Sequence, residues 1–130
     1  MKYLLMIAID EKRLDAMPQD EMDALVREHF ALDDELSGRG QLIASEALES
    51  VRSATTVRVR GGKATITDGP FAETKEQLGG FYLIEAPDLD RAIEVATRIP
   101  SAQVGSVEVR PVWDLRRSHS VTPAQPVTPA

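Results

Sequence analysis

A short run near the start of the chain is apolar on both faces of a strand. In Lys2 to Ile9, Tyr3, Leu5, Ile7 and Ile9 fall on one side while Leu4, Met6 and Ala8 fall on the other. Such a strand has to be covered twice. Gly80 to Ala86 repeats the pattern with Phe81, Tyr82, Leu83 and Ile84, so at least two strands share this demand.

The remaining elements follow from local chemistry. A first helix begins near Pro18, with Asp20 and Glu21 at the positive end of its dipole, and Gly38 and Gly40 terminate it. Gln41 to Leu48 reads as a second strand. Thr55 to Arg60 and Lys63 to Thr67 alternate strictly about Gly61-Gly62, which predicts a two-residue hairpin with one wet face. Asp68 to Leu78 reads as a loop. Asp88 is suited to cap a helix from Leu89 to about Ile99, whose stripe is Leu89, Ala92, Ile93, Ala96 and Ile99 and which Pro100 stops. Ser106 to Trp113 supplies the last strand. Residues 116–130 hold three prolines and little apolar bulk, predicting an extended tail after a single domain at 1–115.

The order is βαβ, hairpin, βαβ, which predicts an α+β fold. Right-handed crossovers place both helices on one face of one antiparallel or mixed sheet. The opposite face would then be a bare apolar patch, which soluble monomers rarely present. Face-to-face pairing with a second copy covers it, so a symmetric homodimer is expected.

Composition narrows the function classes. A formal charge of −6 opposes phosphate backbones and anionic lipid, arguing against nucleic acid and membrane surfaces as partners. The absence of cysteine removes disulfides, thiolate catalysis and the usual structural zinc sites. The apolar start meets Asp10 and Glu11 after seven residues without an Ala-x-Ala pattern, so neither a signal peptide nor a membrane span is expected, and the default location is the cytoplasm. No HxxxH or HExxH spacing occurs and the glycine pairs lack a strand-to-helix setting; no metal and no cofactor is expected.

On a helical wheel with Met22 at zero, Leu25, Val26, Leu32 and Leu36 form a stripe and His29 falls near its middle at about 340°. Glu28 and Asp33 are expected to point elsewhere. His29 is then either a core histidine bonded to a backbone carbonyl or a general acid or base facing a pocket between helix and sheet. Asp68-Gly69-Pro70-Phe71 is the second candidate. It reads either as turn chemistry or as a carboxylate and an aromatic ring presented to a substrate. Glu46 is either a pocket acid or an exposed strand residue.

The stretch Thr67 to Glu85, TDGPFAETKEQLGGFYLIE, resembles the DGPF-type members of the YCII-related family. The resemblance extends through LDRAIE from Leu89, Ile99-Pro100, VEVRPV from Val107, and back to MKYLLM at Met1, covering about residues 1–115. It implies a ferredoxin-like half that pairs as a dimeric α+β barrel. YCII-related proteins are similar in carrying a histidine on the first helix, matched here by His29 before Gly40. They pair it with an aspartate just before the proline ending the second helix, where this chain has Arg98-Ile99. The expected acid must therefore come from elsewhere, and Asp68 is the candidate.

Two functions remain from these readings. One is a cofactor-independent enzyme, an isomerase, lyase or hydrolase, in which catalytic His29 and Asp68 move a proton on a small organic substrate held by Glu46 and Phe71. The other is a non-catalytic dimeric module for a small ligand or a protein, which the resemblance would link to extracytoplasmic-function sigma factors.

Overall fold

A computed structural model describes residues 1–119. The extended tail expected at 116–130 lies outside them from residue 120 onward, and its first residues instead form the short helix α4, Leu115–Ser118.

Four strands build the main sheet: β1 (Lys2–Ile9), β2 (Leu42–Ala47), β5 (Gln77–Glu85) and β6 (Ser106–Pro111), in the order β2-β5-β1-β6. All three pairings are antiparallel. The order is consistent with a ferredoxin-like fold. Helix α1 (Glu11–Asp15) is not foreshadowed by the sequence pattern; Asp10 caps it through Lys12 N–H, and Glu11 anchors it by accepting from Ser50 Oγ at 2.6 Å and Val51 N–H at 2.9 Å. Helix α2 (Gln19–Gly38) follows Pro18, and Gly40 turns the chain at φ 68°. Helix α3 (Leu89–Arg98) is capped by Asp88, whose side chain accepts from Arg91 N–H.

One core explains the layering. Tyr3, Leu5, Ile7 and Ile9 of β1 join Tyr82 and Ile84 of β5, Leu32 and Leu36 of α2, and Ala92, Val95, Ala96 and Ile99 of the α3 region. Both helices therefore cover the same face. The other parity of the two strands, Leu4, Met6, Ala8, Phe81 and Leu83, is only half-buried. Cross-strand pairing places these residues together, Leu4 against Leu83 and Met6 against Phe81. Chain crossing is tight at Gly105, just before β6, where a Cβ would lie 2.2 Å from the Ala8 carbonyl oxygen.

The hairpin departs from expectation. Strands β3 (Thr55–Arg60) and β4 (Lys63–Asp68) turn at Gly61 and Gly62, whose φ angles of 57° and 76° match the two-residue turn. They form a separate two-stranded ladder outside the main sheet. Instead of one wet face, both faces are largely exposed: Val57, Val59 and Ile66 each keep about 60–70% of their surface.

Candidate active site

The site begins with a local absence of side-chain bulk. On the helix-covered face of the sheet, Gly80 stands opposite Ile7 on β1 and Ala47 on β2, and Ser45 stands opposite Tyr82. Gly80 has to lack a side chain, because a Cβ there would meet the Glu46 carbonyl oxygen at 2.8 Å. Small residues cannot fill the layer beneath α2. The helix is seated by Leu32 and Leu36 in its C-terminal half, while Met22, Leu25, Val26 and His29 wall a cavity of about 460 Å³. That volume is in the range of small-molecule sites, and the lining is mostly apolar.

His29 is half-buried at the wall, and both ring nitrogens are engaged by side chains. Nδ1 lies 2.9 Å from the Tyr82 hydroxyl and Nε2 lies 2.6 Å from Ser101 Oγ. Tyr82 arrives from β5 and is 2% exposed. Ser101 lies in the 3₁₀ turn Pro100–Gln103 and is 4% exposed. Asp33 and Ser45 also line the cavity, with Ser45 Oγ donating to Asp33 Oδ1 across 3.5 Å.

Electrostatics set the protonation states. Burial pushes the His29 pKa below its ordinary value, opposed by the negative charges of Asp33 and Glu28. Its imidazole is thereby a neutral base. Burial, and next the neighbouring Asp33 carboxylate, hold the Tyr82 phenol well above the usual range, with Ser45 acting in the opposite sense. Tyr82 therefore stays protonated, hydrogen-bonded to His29.

Several expectations change. Asp33, expected to point away from the stripe, lies four residues after His29, one helical turn on, and faces the same cavity. Asp68 is not in this cavity: it ends β4 opposite Thr55, exposed, because the hairpin leaves the main sheet. The carboxylate beside His29 is Asp33. Phe71 is 80% exposed and lines a different cavity of about 550 Å³ with Val57 and Pro70. Its loop is tied to β3 by Thr56 Oγ1 donating to Gly69 O and Arg58 donating to Phe71 O. Glu46 borders the His29 cavity but pairs opposite Phe81, so its exposed side chain belongs to the other sheet face. Arg98, where an aspartate was expected, is ion-paired with Glu35 of α2. Sequence alone singles out neither Ser101 nor Tyr82. Among the described residues no group of three or more His, Cys, Asp or Glu could hold a metal ion, and no helix is long and apolar enough to cross a membrane.

Comparison with known proteins assigns the lineage. The model of the YCII-related domain matches residues 1–116. The chain belongs to the YCII-related family. This YCII-related chain is also similar to an uncharacterized protein of Rhizobium meliloti (strain 1021), 37% identical over 114 residues, covering 86% of this chain and 92% of that protein.

The depressed pKa of His29 fixes a pH dependence. A base whose folded pKa lies below its unfolded value of 6.5 is protonated first in the unfolded chain. Stability from its neutral form is then complete above about pH 6.5 and is lost as pH falls through that value toward the folded pKa. The urea midpoint is expected to drop between about pH 7 and pH 5, and to drop less in His29→Gln. Equal slopes for the two proteins would refute the assignment.

Proposed function

We propose that this protein is a cofactor-independent enzyme that moves a proton on a small, largely apolar organic substrate, with His29 as the proton carrier. The reading rests on one observation: an imidazole sits at the wall of an open, mostly apolar cavity, and both its nitrogens are held by side-chain hydroxyls rather than by backbone. A sealed histidine bonded to a carbonyl would favour the ligand-binding module instead. Asp33, one helical turn from His29 and lining the same cavity, takes the part of the missing acid. Within the family we assign the chain to the DGPF-type members on the strength of Asp68 to Phe71. The half-buried apolar face of Leu4, Met6, Ala8, Phe81 and Leu83 supports face-to-face pairing of two sheets as a dimeric α+β barrel. The cysteine-free composition suits the cytoplasm.

A thermal-shift screen against small cyclic acids and phenols, followed by deuterium exchange from solvent into each hit, tests this reading. Removing one positioned acid–base group typically costs about 10²–10⁴-fold. His29→Ala is expected to lose exchange by that factor while sedimenting, like the native protein, at twice the 14.3 kDa chain mass. Exchange that survives the substitution rules out His29 as the carrier. Sedimentation at the chain mass rules out the dimer.

A further inference from the structure

Ser101 is given no task by proton transfer at His29 alone. Apart from the tyrosines it is the one buried residue with a polar side chain among the described residues; it lines the cavity, and its Oγ lies at hydrogen-bond distance from Nε2. The Tyr82 hydroxyl lies 2.9 Å from Nδ1, and this bond can run either way. In one tautomer the Tyr82 oxygen accepts from Nδ1–H. The neutral ring then carries its lone pair on Nε2, where it accepts from Ser101 Oγ–H. The result is a hydroxyl hydrogen-bonded to a base that a third group orients, the arrangement that activates a nucleophile.

We propose that Ser101 is a nucleophile served by His29, with Tyr82 positioning the imidazole and the Asp33 carboxylate close by in the same cavity, and that the substrate is a small uncharged ester or lactone. This proposal rests on the reading of His29 as proton carrier and names the reaction. Ser101 Oγ attacks the carbonyl carbon as its proton passes to Nε2. The C–O bond to the leaving alcohol breaks, and Nε2 returns the proton to that oxygen. Solvent water attacks the resulting acyl-Ser101 while giving a proton to Nε2. The ester to Ser101 then breaks, Oγ recovers the proton, and the carboxylic acid departs. Apolar walls from Ile7, Leu25 and Val26 suit the uncharged substrate, and Asp33 opposes retention of the anionic product.

The full chain is treated with phenylmethylsulfonyl fluoride, whose sulfur takes the serine oxygen as fluoride leaves, and is assayed for hydrolysis of 4-nitrophenyl acetate. One sulfonyl group per chain is expected, mapped to Ser101 and absent from Ser101→Ala, with His29→Gln slowed about 10²–10⁴-fold. Ser101→Cys keeps the size and supplies a thiol, and should be alkylated by iodoacetamide faster than free cysteine. The groups facing His29 are Asp33, Glu28, Tyr82 and Ser101, of which the first two favour the protonated ring. Asp33→Asn should therefore move the half-maximal pH of labelling downward, which loss of packing alone would not do. Absence of label together with absence of ester turnover, or equal labelling of Ser101→Ala, overturns the proposal. If deuterium exchange at His29 persists in Ser101→Ala under those outcomes, proton transfer stands and only the nucleophile falls.

Discussion

Replacing Gly105 by Ala is expected to cost about 3 kcal/mol or more, at or beyond the top of the usual range for overpacking. The added methyl would lie 2.2 Å from the Ala8 carbonyl oxygen and 3.0 Å from the Ile9 side chain. Neither backbone can yield cheaply, because Ala8 is already paired with Ser106 on one side and Leu78 on the other. β6 would have to withdraw from β1, opening the sheet along the pairs Leu5–Val109 and Ile7–Val107 that close the core. Gly38 provides the control. It ends α2 with nothing within 4 Å of where a methyl would stand and no positive φ, so Gly38→Ala should be neutral or stabilise by up to about 1 kcal/mol. Urea denaturation of both variants decides the matter; equal stability would show that the β1–β6 approach is looser than described.

Tyr82 joins the core to the site, and two substitutions separate these roles. Tyr82→Ala is expected to lose about 3–5 kcal/mol, the usual cost of removing a large buried ring. Tyr82→Phe keeps the ring and removes the oxygen that meets His29 Nδ1, leaving that nitrogen unsatisfied at about 1–3 kcal/mol. The Phe variant also releases the tautomer of His29. Its stability loss should therefore be accompanied by a changed pH profile for whatever His29 does. A Phe variant as stable as the native protein, with an unchanged profile, would show that the hydroxyl does not orient the ring.

Much of the fold is legible in the sequence because it depends on short-range patterns. The double parity of β1 and β5, the Gly61-Gly62 turn and the Asp88 cap are each set by a few neighbouring residues. The position of His29 on the inward stripe follows from helical geometry. By the same geometry Asp33, four residues later, falls at about 20° on the wheel, close to His29, so its place in the cavity is within reach of the sequence and the expectation that it points elsewhere is an error of reading. Tyr82 and Ser101 are different. They meet His29 across 53 and 72 residues, and only the register of β5 and the turn after Pro100 bring them there. Asp68 misleads because a loop motif carries no sign of where its hairpin will lie. The ladder of β3 and β4 separates from the sheet, which no alternation pattern discloses.

The gap opposite Ile7 and Ala47 fixes where this protein could acquire a different guest. At Gly80 the obstacle to growth is main chain on the adjoining strand, so the floor of the chamber cannot be raised by mutation without parting the two strands. The ceiling is held only by side chains of α2, such as Met22 and Val26, which border open volume. Redesign of selectivity therefore belongs to the helix, one rotamer at a time, above a base that stays constant.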